Sequence, residues 1–323
     1  MLSTIVRRLL QTLLVVLVMS ALVFAGLYVI GDPVSMLASP EATDAERAAI
    51  SKALGLDLPL WQQYGIFLSK AVHLDFGSSF LTGESAMRLI LERMPATLEL
   101  ATLAMFMSVL IGVPLGIYAG LKPRSTSART IMTGSVLGFS LPNFWVGLML
   151  IMLFAVMLGW LPAGGRGPVE SFGPIQLSVF NWEGFKSLIL PAGTIAVAKC
   201  ALIIRVTRAA TRECLPQDYI KFARAKGLRE KRVLGVHLLK NIMIPIVTIG
   251  GLEYGQVFAF AVVTETIFSW PGMGKLLIDS IITLDRPVVV AYLMLTVVFL
   301  AGLNLIVDIA YTVLDPRVRL EGA

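Results

Sequence analysis

Six runs of roughly twenty mostly apolar residues set the limits on what this 323-residue chain can fold into. They lie near Leu9 to Ile30, Thr97 to Leu121, Ile131 to Leu158, Leu188 to Ile204, Ile242 to Val263 and Val288 to Val313. A helix that crosses the hydrocarbon core must satisfy every backbone N–H and C=O inside its own segment, and runs of this length do so. The fourth run is short and holds Pro191, which makes it the weakest of the six. The first follows Arg7 and Arg8 and exceeds the ~7 to 15 residues of a signal-peptide core, so it is expected to remain as a spanning helix. With 56% apolar and 15% charged residues and a mean hydropathy of +0.81, the composition excludes water as the main solvent.

Charge sits in the connections, and cytoplasmic connections carry the excess of Lys and Arg. Arg7 and Arg8 put the N-terminus inside, and Lys122, Arg124 and Arg129 then fall on the same side. So does Arg205 to Lys240, with ten Lys or Arg against three acids, and so do Arg317 and Arg319. Gly31 to Ala96 has five Lys or Arg against eight acids, and the other outside connections hold only Arg166, Lys186, Lys275 and Arg286. Both termini are therefore expected in the cytoplasm. The net charge of +6 reports topology: the basic residues form short clusters between apolar runs, which argues against a nucleic-acid surface.

The organisation follows: residues 1–30 with the first span, 31–96 as an extracytoplasmic segment, 97–313 as a core of five spans with a cytoplasmic connection at about 205–240, and 314–323 as a cytoplasmic tail. Two connections are too long to be mere linkers. In the outer one, Trp61, Tyr64, Leu68 and Val72 recur at three- and four-residue spacing and form one apolar stripe on a short helix. The membrane surface, a partner protein and the chain's own spans are all compatible covers for it.

In the inner connection, Pro216 and Asp218 mark a helix start, Tyr219 to Lys226 spans two turns, and Gly227 supplies a left-handed terminus, with a second helical stretch from Glu230 to Asn241. Ala223 and Ala225 allow close approach of another protein, and Arg224, Lys226 and Arg229 would orient it. A basic loop that only sets topology is the plainer alternative, but topology does not need the small-residue and Gly spacing.

The string Asp218-Tyr-Ile-Lys-Phe-Ala-Arg-Ala-Lys-Gly-Leu228, followed by Asn241-Ile-Met-Ile-Pro245, resembles the coupling segment of ABC importer permeases, in particular the B-type subunit of the dipeptide/oligopeptide family. The resemblance continues in Val6-Arg-Arg-Leu-Leu10, Gly55-Leu-Asp-Leu-Pro-Leu60, Arg93-Met-Pro-Ala-Thr-Leu-Glu-Leu100 and Ser140-Leu-Pro-Asn-Phe-Trp145. Leu158-Gly-Trp-Leu-Pro162, Glu265-Thr-Ile-Phe-Ser-Trp-Pro-Gly272 and Leu314-Asp-Pro-Arg-Val-Arg319 extend it almost end to end. The broader permease signature opens Glu-Ala-Ala before a downstream Gly. Here Ala223-Arg-Ala-Lys-Gly227 lacks the Glu, a form that resembles the peptide branch.

The resemblance implies an all-α integral membrane protein of six transmembrane helices with the type-1 ABC importer permease fold, in a bacterial cytoplasmic (inner) membrane. It further implies a second, C-type permease subunit, one or two ABC ATPase subunits that bind ATP and Mg, an extracytoplasmic solute-binding protein and surrounding membrane lipid. Peptides, peptide-like solutes and nickel complexes are the family's cargo classes. Ala223, Arg224, Ala225, Lys226 and Gly227 are then the expected ATPase-coupling contact.

No chemistry of its own is expected of the chain. The nearest approach to a phosphate-cradling GxxxxGK loop, Gly272-Met-Gly-Lys-Leu276, has neither the spacing nor the hydroxyl, so no cofactor is expected here. His73 and His237 stand alone, and Cys200 and Cys214 have no metal-ligand spacing, so neither a metal site nor a catalytic set emerges.

Ionisable groups deep in a bilayer cost roughly 2.5 to 3.5 kcal/mol on insertion scales and face protein or a water-filled cavity. Glu253, midway along the fifth run, and Gln256 on the same face are candidates for the translocation path; helix-to-helix hydrogen bonding is the plainer role. Lys199 is within reach of Glu253 or, as the simpler expectation, extends its amine toward the inner surface. Asn304 and Asp308 share a face of the last run and are expected to serve packing, as are Gly112 and Gly116 around Pro114. The competing class is an ion-gradient-driven secondary transporter, which would show internal repeats and interrupted helices that are not evident here.

Overall fold

The computed structural model describes residues 2–27, 34, 38, 41–53, 55–173 and 175–314. Arg317, Arg319 and the 315–323 part of the tail lie outside the described residues. The helices are α1 (Leu2–Leu27), α2 (Asp44–Ala53), α3 (Leu60–Val72), α4 (Ala86–Leu121), α5 (Thr126–Ser140), α6 (Asn143–Met157), α7 (Trp182–Cys214), α8 (Asp218–Ala225), α9 (Glu230–Phe260), α10 (Val262–Ile267), α11 (Met273–Ile282) and α12 (Arg286–Leu314). A hairpin of β1 (Glu170–Phe172) and β2 (Ile175–Leu177) pairs Ser171 with Gln176.

Among the described residues five helices are long and apolar enough to cross a membrane, and α5 with α6 makes a sixth candidate. That sixth is the run from Ile131 to Leu158, and it is not one continuous helix: α5 and α6 meet at a bend of 104°. Pro142 has no N–H to continue α5 and forces the residue before it out of the helical region, and Leu141 is extended at φ −79°, ψ 132°. The fourth run, expected to be short, is a 33-residue helix. Asn181 caps its first turn by accepting from the N–H groups of Glu183 and Gly184, Pro191 is carried inside it, and Arg205 to Cys214 prolong the helix instead of forming loop. The stretch from Glu230 runs through a π-helical segment, Val233–Leu238, directly into the fifth span.

The chain divides into two compact units: Met94–Lys275 with Met1–Ile5 and Gly302–Ala323, and Val6–Arg93 with Leu276–Ala301. In the first unit α7 is the axis on which α5, α6 and α9 pack. Gly112, Gly116 and Gly120, one turn apart on α4, face Ile203, Thr207 and Thr211 on α7. A β-carbon at Gly116 would stand 2.5 Å from Thr207 Cβ and 2.8 Å from the Ile204 carbonyl, so the small residues set the closeness of the two helices. Apolar clusters fill the two ends of this unit. One holds Leu100, Ala104, Leu188, Ala192 and Trp270, and the other Ile203, Ile220, Val233, Leu238 and Ile242.

In the second unit α2 opens with a capping box. The Thr43 N–H donates to Glu46 Oε2 and the Glu46 N–H to Thr43 Oγ1. The stripe of α3 divides: Tyr64 turns onto α1, with its hydroxyl 2.8 Å from Ser20 Oγ and its ring 5.4 Å from Phe24, so the chain's own span covers that part. Trp61 and Val72 stay exposed. Phe67 and Phe76 join Val23, Val290 and Met294 in a small cluster at the ends of α1 and α12. Asp285 closes the turn before α4 by accepting from the Ser79 hydroxyl and the Phe80 N–H.

Candidate functional site

The connection between α7 and α9 is built on an eight-residue helix whose two faces have different partners. Ile220 and Ala223 are buried against Val233, Leu238 and Ile242 of the same chain. Tyr219 and Phe222 are exposed, and Phe222 carries the Lys226 amine 4.5 Å above its ring. Arg224 pairs with Glu230 at 2.6 Å, and Gly227 takes the left-handed φ of +72° that ends the helix. Ala223 therefore fills the chain's own core, whereas Arg224, Ala225, Lys226 and Gly227 are exposed. The exposed aromatics went unnoticed in the sequence because an i, i+3 pair on so short a helix has no period to stand out from.

At mid-span, Lys199 of α7 donates to Glu253 of α9 at 2.5 Å, with side chains 20% and 15% exposed. The lysine thus does not extend toward the surface: a carboxylate on the neighbouring helix compensates its charge. Gln256 is exposed one turn further along α9. Asn304 of α12 is exposed. The structure brings Lys199 and Glu253 together, while Ala223 to Gly227 lie on a separate connection.

A second polar centre joins two of the strings quoted above. Thr97 Oγ1 donates to Glu265 Oε1 at 2.6 Å and accepts from the Met273 N–H at 2.8 Å, while Glu265 Oε2 accepts from the Lys275 N–H at 2.9 Å. The carboxyl thus sits over the first turn of α11, where orphan N–H groups favour negative charge. Burial nonetheless pushes the Glu265 carboxyl up from its ordinary value, opposed by the Thr97 hydroxyl and the N–H groups of Lys275 and Gly274. A β-carbon at Gly272 would overlap the Glu265 carboxylate. Trp270 is fully buried and donates its indole N–H to the Ala96 carbonyl at 2.9 Å.

Two residues along α4, Glu99 accepts from Arg166 at 2.9 Å, from the Ser178 hydroxyl at 2.7 Å and from the Val179 N–H. Arg166 also donates to the Gln176 carbonyl at 2.6 Å and lies 5.7 Å from the Trp270 ring centre, so the hairpin is tied to α4. Glu99 is the third residue of the second apolar run, near enough to its end to pass for a boundary charge, and its partners lie 67 to 80 residues further along the chain.

Residues 112–320 match the family model described as binding-protein-dependent transport system inner membrane component, and residues 1–101 match the N-terminal model of the same system. The di/tripeptide transport system permease protein of Pseudomonas aeruginosa (strain UCBPP-PA14) is 40% identical over 99% of both chains. The dipeptide transport system permease protein of Escherichia coli (strain K12) is 38% identical over 99% of both. The oligopeptide transport system permease protein of Bacillus subtilis (strain 168) is 38% identical over 99% of this chain and 100% of its own. Among solved structures, a chain of the MetNI methionine ABC transporter superposes with a TM-score of 0.54 at 17% identity, covering 71% of this chain and 97% of that one. That likeness carries the type-1 importer permease fold.

Proposed function

We propose, from the premise that this chain belongs to the family of binding-protein-dependent transport system inner membrane components, that it forms half of the pore of an ATP-driven peptide importer. Its cargo is di- or oligopeptides or peptide-like solutes. It works beside a C-type permease, one or two ATPase subunits that bind ATP and Mg, and an extracytoplasmic solute-binding protein. Both termini and α8 face the cytoplasm, a placement that the distribution of Lys and Arg supports.

The observation that carries this reading is α8. Its inner face is locked to the α7 and α9 ends through Ile220 and Ala223, and its outer face offers Tyr219 and Phe222 among basic groups. A partner that grips Phe222, Arg224, Ala225, Lys226 and Gly227 moves α8 as a rigid lever, and the shared core transmits that movement to α7 and α9. Between those two helices the Lys199–Glu253 pair and Gln256 border the solute path, where a paired charge costs less than a lone one and offers peptide termini both signs.

Gentle extraction of the tagged protein followed by mass spectrometry of its stoichiometric companions tests the assembly. A second permease with one or two Walker-motif ATPases is expected. A lone chain that transports without ATP overturns the reading.

A further inference from the structure

The second unit contains a cavity of about 980 Å³ that the transport reading leaves unused. Its walls come from the last turns of α1, from α2 and α3, from the 75–80 turn and from the first residues of α12. Phe24, Phe67 and Phe76 supply apolar surface, and Arg47, Lys70 and Arg286 supply three cations. Asp75 is the one acid among the described lining residues, and its Oδ1 already accepts from the Gly77 N–H at 3.0 Å within its own turn. The described lining therefore carries net positive charge beside a broad aromatic surface, a combination that suits an amphiphile with an anionic head.

Its place in the chain identifies the source. Phe24 is three residues from the end of α1, and Arg286 is the first residue of α12, so the cavity lies where two candidate spans leave the hydrocarbon core at the level of lipid headgroups. Ile66, which lines the cavity beside Phe67, is exposed, so the apolar lining continues outward along α3. An acyl chain leaving the cavity past Ile66 meets apolar surface. A short peptide has no such tail to place there.

We propose that this cavity binds an anionic phospholipid, with its phosphate among Arg47, Lys70 and Arg286 and its acyl chains against the phenylalanines and Ile66. The site is distinct from the Lys199–Glu253 path and does not depend on which solute is carried.

The test uses the importer complex extracted from vesicles of equal phosphatidylglycerol and phosphatidylcholine, with retained lipid counted by native mass spectrometry. Wild type is expected to keep phosphatidylglycerol in preference to phosphatidylcholine. Arg47→Gln with Lys70→Gln is expected to hold it about five-fold more weakly for each cation removed, the ratio equivalent to about 1 kcal/mol apiece. Lys70→Gln alone, at an exposed position, gives the single five-fold step if the double variant fails to fold. Equal phosphatidylglycerol retention by wild type and Lys70→Gln overturns the proposal. So does equal retention of the two lipids by wild type, or displacement of phosphatidylglycerol by a dipeptide, which would mark a peptide site.

Discussion

At the scale of single residues, Glu265 shows how environment and hydrogen bonding compete. Burial favours its neutral form and three donors favour the charged one, and burial is the larger influence. A carboxyl whose folded-state pKa is raised binds more protons folded than unfolded as pH climbs from its ordinary value to the raised one. Its stabilising contribution is complete below that window and is lost across it. The thermal midpoint of the wild type is thus expected to fall with rising pH more steeply than that of Glu265→Gln, which cannot titrate; parallel profiles would refute the assignment. The Lys199–Glu253 pair makes a different prediction. Lys199→Met or Glu253→Gln alone strands its partner at a cost of about 3–5 kcal/mol, whereas Lys199→Met with Glu253→Leu is expected to recover much of it. Unfolding of the three variants in detergent, compared with peptide uptake, separates stability from transport: the apolar double variant should be folded and impaired in uptake.

At the scale of elements, the α4–α7 contact and α8 are both set by which residues are small. Gly116→Ala forces a methyl against Thr207 and the Ile204 backbone and is expected to cost about 1–3 kcal/mol, read as a lowered midpoint. Gly134→Ala on α5 meets nothing within 4 Å and should be neutral or stabilising by about 0.5–1 kcal/mol. On α8, Ile220→Ala opens a cavity worth about 2–5 kcal/mol, while Phe222→Ala, at 61% exposure, should leave the fold intact and weaken capture of the ATPase subunits in pull-down. Ala223 and Ala225 looked equivalent in the sequence because both are small and next to Gly227. Which of them faces inward depends on the side of α8 that meets Val233 and Leu238, a contact between segments joined by a turn.

For the whole molecule, an importer driven by separate ATPases should take up peptide in reconstituted vesicles only when ATP is present at the cytoplasmic face, with an ionophore that collapses the proton gradient leaving the rate unchanged. The reverse dependence would return the chain to the secondary-transporter class. The helical membrane class and most span positions were legible in the sequence by itself, because a lipid solvent demands long apolar helices and bars charge from all but their ends. Helix α8 and its Gly227 terminus were legible too, since capping and left-handed geometry are local. The break at Leu141–Pro142 was written there as well but was masked by an unbroken apolar run. Only the tertiary structure decided that Lys199 meets Glu253, that Glu99 reaches Arg166, and that Thr97, Trp270 and Glu265 converge on one buried centre. These partners lie between 54 and 174 residues apart, and hydropathy records how deep a residue sits without recording which neighbour it faces.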